Sequence, residues 1–245
     1  FKVVTRHYQF RALPFGLTTS PFVFTRVVKA VGSLVHSHGV RLIQYLDDWL
    51  LTNRSREEAA KQTSWLLSLA RSLGLIVNLE KSDLVPSQTF QFVGISFDLS
   101  SGTARPAPHR LEAWSRLADT FSSSPDPPAV LWQQVLGHLT SLEKLVPRGR
   151  LHMRPLQFCL KDGWNQSSQP QSVRVPVSSE ARLALTWWSD SIHTTKGISL
   201  APPSPEIQVF TDASRAGWGA HLGGQTAEGV WSLTQQTFHI IKLVL

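Results

Sequence analysis

Leu42-Ile43-Gln44-Tyr45-Leu46-Asp47-Asp48-Trp49-Leu50-Leu51 sets two neighbouring carboxylates inside an otherwise apolar stretch. The apolar residues on either side of the acidic pair, over 40–52, predict a β-hairpin with Asp47 and Asp48 near its turn. Two like charges tucked into such a hairpin repel each other and lose hydration unless a cation neutralises them. Magnesium or manganese does this well, because carboxylate oxygens are its preferred protein ligands. For the bare dipeptide a solvated Asp-Asp turn is the alternative, since Asp is common in turns. The surroundings must decide.

Outward from the pair, Lys2 to Phe10 reads as a strand and Leu13-Pro14-Phe15-Gly16-Leu17 as a turn. Ser20-Pro21 opens a helix to about 35, with Ser20 as N-cap and Pro21 at the first helical position. Ala59, Trp65, Leu66, Leu69 and Leu73 recur at helical spacing over 56–73, and Gly74 stands where a C-cap belongs. Short strands are expected over 75–79 and 90–97. A Ser, Gly and Pro stretch at 100–108 reads as a boundary. Residues 109–120, 129–145 and 178–191 read as helices, with a polar loop over 165–176. Ala201-Pro202-Pro203-Ser204-Pro205 reads as a PPII-like linker. Beyond it, a β-branched strand at 207–211 leads into Asp212, and a second strand lies near 217–222. There is no internal repeat. Both ends read as cut: the chain starts within a strand pattern without Met and stops in the apolar Leu243-Val244-Leu245.

The chain has 245 residues, 42% of them hydrophobic, enough to bury a sizeable core in one or two domains. Lys and Arg number 24 against 17 Asp and Glu, a formal charge of +7 that favours a polyanionic partner, nucleic acid first. The single cysteine, Cys159, excludes an internal disulfide framework and any multi-cysteine zinc site, and suits a reducing interior. No apolar run approaches the roughly 20 residues of a membrane span, and no signal-peptide layout opens the chain. The expected setting is intracellular, with the compartment open between cytoplasm and nucleus.

Four motifs in order now become specific. Phe10-Arg11-Ala12-Leu13-Pro14-Phe15-Gly16-Leu17 through Ser20-Pro21-Phe22-Val23-Phe24 resembles motif B of reverse transcriptases, and Tyr45-Leu46-Asp47-Asp48 resembles their motif C. Leu73-Gly74-Leu75-Ile76-Val77-Asn78-Leu79-Glu80-Lys81-Ser82 resembles motif D, and Phe92-Val93-Gly94-Ile95 resembles motif E, the primer grip. The chain is most similar to the reverse transcriptase and ribonuclease H polyproteins of LTR retrotransposons, closest to the DIRS type. Gly149-Arg150-Leu151-His152-Met153-Arg154-Pro155-Leu156 and Trp187-Trp188 support that placement. The resemblance implies an α+β fold: a partial reverse-transcriptase palm over 1–100, a mostly helical thumb and connection over 101–205, and the start of a ribonuclease H-like α/β domain over 206–245.

It also implies roles. Asp47, supported by Asp48, would ligate magnesium or manganese for two-metal nucleotidyl transfer. Phe15 would lie beside the incoming nucleotide. Gly16, lacking a side chain, would let the backbone approach the nascent base pair. Lys81 would face the departing pyrophosphate, and Phe92 and Gly94 would lie along the primer. The motif A aspartate is missing: residues 1–46 contain neither Asp nor Glu. The chain by itself is therefore expected not to polymerise DNA.

Phe210-Thr211-Asp212-Ala213-Ser214 and Gly217-Trp218-Gly219-Ala220 resemble the first strands of ribonuclease H, with Asp212 as its first carboxylate and metal ligand. At 238–245 the resemblance implies a helix start bearing the next catalytic Glu, where Val244 stands instead. Partners implied are RNA template, DNA primer and RNA–DNA hybrid, without a membrane. Lys2, Arg6, Arg11, Arg26, Lys29 and Arg41, and a second cluster of Arg148, Arg150, His152 and Arg154, are the candidate phosphate contacts. Most of the nine tryptophans are expected in cores. The other reading open to the sequence is a non-catalytic nucleic-acid-binding remnant or decayed fragment.

Overall fold

An extended segment needs a neighbour for its N–H and C=O groups. At the start of the chain it finds one by folding back on itself. In the computed structural model, which describes residues 2–3, 6–201 and 207–237 (side chains of 2, 3 and 7 apart), β1 (Lys2–Val3) pairs antiparallel with β2 (Arg6–His7). The single strand expected over 2–10 is thus a two-residue hairpin, and 8–10 are irregular.

Helix α1 (Ser20–Ser37) buries one stripe, Val28, Gly32 and Val35. It lies against β3 (Arg41–Tyr45), which forms an antiparallel hairpin with β4 (Asp48–Thr52) in the register Tyr45↔Asp48 and Ile43↔Leu50. The hairpin expectation holds. Helix α2 (Arg56–Ser72) follows, its Ser55 hydroxyl accepting from the Glu58 amide, with Glu57 and Glu58 placed favourably at the positive end of the helix. Gly74 takes the left-handed conformation, φ 77°, that ends such a helix. Val35, Val40 and Leu42 form a small core with Trp49, Leu51, Trp65, Leu66 and Leu69 packed on it. The strand expected at 75–79 is absent. The Asn78 side chain instead accepts from the Lys81 amide and starts a single 3₁₀ turn, Leu79–Lys81.

β5 (Thr89–Phe92), β6 (Ile95–Asp98) and β7 (Thr103–Pro106) make an antiparallel meander, so the apolar run 90–97 is a hairpin rather than one strand. Most of the Ser, Gly and Pro stretch, 100–106, is folded into this sheet, as its turn and as β7, and 107–108 open the helix that follows. The Asp98 carboxylate organises that turn. It accepts from the amides and hydroxyls of Ser100 and Ser101, which hold its pKa at about 2.

Helices α3 (Pro108–Ser122), α4 (Ala129–Leu142), α5 (Gly149–Gly163), α6 (Ser179–Ser189) and the short α7 (Ser191–Thr194) come next. The chain then returns as β8 (Ile198–Ser199), which pairs with β7 to give the order β5-β6-β7-β8. The large core lies among these helices: Trp114, Phe121, Trp132, Leu139, Leu156 and Trp188 are all buried. Trp132 crosses Phe121 edge-on at 4.8 Å and donates its indole N–H to the Val175 carbonyl at 3.1 Å. Trp114 likewise donates to the Trp188 carbonyl. Both of these indole donors are satisfied, as burial requires, whereas the Trp188 indole N–H is buried without an acceptor among the described residues.

Residues 1–200 form one compact unit and 201–245 another. In the second, β9 (Phe210–Ala213), β10 (Gly217–Leu222) and β11 (Gln225–Val230) form an antiparallel sheet in the order β11-β10-β9. Helix α8 (Leu233–Gln236) opens on a Ser232/Gln235 capping box. The strand expected at 207–211 begins three residues later and takes in Asp212. Residues 202–206 and 238–245, including Val244, lie outside the described residues. Among the described residues no helix is long and apolar enough to cross a membrane.

Candidate functional site

The β3–β4 turn has only two residues between its closing pair, Leu46 and Asp47. Leu46 takes φ 51°, a conformation that costs a branched side chain about 1–2 kcal/mol. The Trp49 indole N–H donates to the Leu46 carbonyl at 3.2 Å and helps hold this backbone. Strain of this kind persists only where surrounding structure enforces it, and it gathers at functional sites.

Strand pairing sorts the hairpin into two faces. Leu42, Gln44, Trp49 and Leu51 turn toward α1 and the small core. Ile43, Tyr45 and Asp48 occupy the opposite face, where Ile43 and Tyr45 are half exposed at 51% and 55%. Asp47 and Asp48 are both exposed. This corrects the expectation of desolvated carboxylates: the apolar residues around them in sequence point to the other face or stand in solvent themselves. Asp48 sits on an open sheet face beside exposed aromatic and aliphatic groups, with Asp47 exposed in the turn next to it.

Helix α1 is seated closely on this hairpin. Gly32 has no side chain, and a Cβ there would run into the Gln44 carboxamide, with Cδ at 2.9 Å. The same carboxamide donates to the Val28 carbonyl at 3.2 Å. At the far end of α1, the Ser20 hydroxyl reaches back to the Pro14 carbonyl at 2.7 Å, closing the loop that carries Phe15 and Gly16. Ser20 is therefore not the N-cap. Thr19 occupies that position without a side-chain bond, and Ser20 is the first helical residue. One rigid helix connects the Phe15-Gly16 loop to the strand before Asp47.

Phe15 is fully exposed, and Gly16 takes φ 88° with open space where a Cβ would lie. The backbone conformation is what requires glycine here. Lys81 is exposed on its 3₁₀ turn. Phe92 and Gly94 belong to the β5–β6 turn, where Val93 (φ 49°) and Gly94 (φ 71°) are both left-handed. That geometry is usual for Asn-Gly and unusual for a β-branched residue. Asp212 is exposed on β9, its Oδ1 accepting from the Ala213 amide at 2.9 Å. Gly219 pairs with Asp212 on one side and Glu228 on the other, so both carboxylates share a sheet face across a glycine. Glu228 had no motif to mark it.

Of the basic residues, Arg6, Arg11, Arg26, Lys29 and Arg41 are exposed. Arg26 lies over the Phe22 ring at 5.7 Å, and with Lys29, Ala30 and Ser33 the two line a shallow groove along α1. Arg148, Arg150 and Arg154 are exposed at the start of α5. His152 leaves that group. Its ring stacks on Trp187 at 3.8 Å, and His193 stacks on Trp187 as well, at 4.3 Å. Burial, then His193 and Arg148, push the His152 pKa down, so it is neutral at pH 7. Trp114, Trp132, Trp164 and Trp188 are buried, in line with the expected core role.

Magnesium keeps several waters and takes one or two carboxylates, the number that Asp47 and Asp48 offer. Among the described residues no group of three or more His, Cys, Asp or Glu side chains gathers to hold a metal. The described residues do not complete a two-ion site.

Residues 2–97 match the family model described as reverse transcriptase (RNA-dependent DNA polymerase). The genome polyprotein of Petunia vein clearing virus (isolate Shepherd) is 29% identical over 162 residues, covering 66% of this chain and 7% of that protein. The enzymatic polyprotein of Figwort mosaic virus (strain DxS) is 24% identical over 228 residues, covering 91% of this chain and 31% of its own length. The chain thus spans less than a third of either relative. Among solved structures, the foamy viral protease-reverse transcriptase dRH in complex with double-stranded DNA matches with a TM-score of 0.63 at 19% identity, over 95% of this chain and 39% of that one. The same protease-reverse transcriptase in complex with RNA/DNA hybrid matches at 0.61 and 18% identity, over 94% and 30%. At these identities the structural likeness concerns the mixed α/β fold.

Proposed function

We propose, from the match of residues 2–97 to the reverse transcriptase family model, that this chain is part of an RNA-directed DNA polymerase from a retroelement polyprotein. The observation that carries the reading is the strained β3–β4 turn: an exposed Asp47 in the turn and an exposed Asp48 beside it, joined through α1 to the Phe15-Gly16 loop. Residues 1–100 act as a partial palm and the helices that follow as thumb and connection. Residues 206–245 are the start of a ribonuclease H-like domain with Asp212 as its first carboxylate. The parent element is of the DIRS type.

In this reading Asp47 and Asp48 would hold magnesium or manganese. A bound ion there supplies positive charge to phosphate oxygens. Gly16 and Phe15 border the nucleotide, Lys81 offers a cation to the leaving phosphates, and Phe92 and Gly94 guide the primer. Arg11, Arg26, Lys29, Arg148, Arg150 and Arg154 hold phosphates of RNA template, DNA primer or their hybrid, without reading sequence.

Manganese titration followed by electron spin resonance tests the metal ligands. Asp47→Asn should weaken binding to the chain at least about tenfold, roughly 1.4 kcal/mol. Unchanged binding would remove the pair from the metal site.

With no Asp or Glu in residues 1–46 to add a third carboxylate, and no three-ligand group among the described residues, the chain on its own binds nucleic acid without extending it. Primer extension on an RNA template, with magnesium or manganese, should not exceed a metal-free blank. Extension above it would refute the carboxylate count. Affinity for an RNA–DNA hybrid should fall steeply with salt, log K dropping by about 0.7–0.9 per phosphate contact for each tenfold rise. A flat salt response would end the phosphate-contact reading.

A further inference from the structure

We propose that Arg110 is a positioning residue, a pin that sets the angle between the Val93-Gly94 turn and helix α4. The inference rests on the reading of that turn as a primer contact. The Gly94 carbonyl accepts from the Ala107 amide at 3.1 Å and from Arg110 Nη1 at 3.2 Å. Arg110 Nη2 donates to the Ser141 carbonyl at 2.7 Å, in the last turn of α4. One planar guanidinium therefore bridges a β-turn and a helix C-terminus, where a cation is favoured by the unpaired carbonyls.

Two further features point the same way. Gly94 has no Cβ, and one placed there would lie 2.7 Å from Arg110 Cδ, so the arginine stem occupies the space that glycine leaves. Val93 holds a left-handed φ that a β-branched residue adopts only under constraint, and the doubly bonded Gly94 carbonyl next to it supplies one. Arg110 itself is half-buried and belongs to none of the ion pairs among the described residues. Burial lowers its pKa, and burial first and then the Arg110 charge lower that of His138, on the same helix as Ser141. With both terminal nitrogens committed to carbonyls, the side chain is spent on geometry and not on phosphate. A lysine, with a single ammonium, cannot span both acceptors in the same plane.

The test uses the full chain with Arg110→Met and Arg110→Lys, and has two independent arms. In the first, spin labels at Gln91 and Lys144, in a Cys159→Ser background, report the distance between the turn and the end of α4. The distribution should be narrow with Arg110, broad with Met and intermediate with Lys. An unchanged distribution in Arg110→Met overturns the pin whether or not the chain binds nucleic acid. In the second arm, affinity for an RNA–DNA hybrid should fall about tenfold in Arg110→Met with the slope of log K against log salt unchanged. A slope smaller by about 0.7–0.9 would make Arg110 a direct phosphate contact and refute the positioning role. If the parent chain binds no hybrid, the primer-contact reading fails, and the label distances still decide the pin.

Discussion

Trp132→Ala should lower the stability of the 1–200 unit by about 3–5 kcal/mol, the range for deleting a fully buried tryptophan. The ring has no solvent exposure, crosses Phe121 edge-on, and donates to a Val175 carbonyl that the substitution leaves without its donor. Against a total of about 5–15 kcal/mol for a typical domain, that is a large share. Urea unfolding followed by circular dichroism measures it. Trp132→Phe keeps a six-membered ring against Phe121 but removes the N–H together with the rest of the five-membered ring, and should cost less than the alanine variant, about 1–3 kcal/mol. A loss below about 1.5 kcal/mol for the alanine variant would mean that the helices do not share the core described.

How legible was this fold in the sequence? The hairpin and α2 were, because their apolar residues follow one period and their ends carry matching signals: Asp47-Asp48 at a two-residue turn, Gly74 past the last helical turn. Helix α5 was legible only as a motif. It starts at Gly149 behind a left-handed Arg148 and contains Pro155, so local preference argues against a helix. Burial of Met153, Leu156 and Leu160 at helical spacing overrides that preference. The return of β8 to β7 joins residues nearly a hundred positions apart, which no local pattern encodes.

At the candidate site, the residue types were readable and their environments were not. Whether the carboxylates are desolvated depends on which face of the hairpin α1 covers, and Gly32 and Gln44 decide that by contact. His152 sat among arginines in sequence, yet its ring found Trp187. No motif marks Arg110, because only folding brings together the two carbonyls it joins.

Gly197→Ala should cost about 2–4 kcal/mol, for two reasons that a second glycine can separate. Gly197 has φ 72°, where a Cβ costs about 1–2 kcal/mol. A Cβ there would also stand 2.5 Å from the Ala104 carbonyl oxygen, backbone that cannot swing aside as a flexible side chain would. Gly102 shares the left-handed conformation, φ 63°, but has open space where its Cβ would lie. Gly102→Ala should therefore show the conformational part alone, about 1 kcal/mol. The difference between the two variants measures the collision. It matters because β8 is where the helices α3–α7 are returned to the sheet that carries the Val93-Gly94 turn, so its loss frees one end of the helical cluster. Hydrogen exchange at the Leu200 amide, which donates to the Gly102 carbonyl at 2.7 Å, should speed up in Gly197→Ala before the rest of the unit opens. Equal costs for the two alanine variants would show that Ala104 yields, and that β8 does not hold the helices in place.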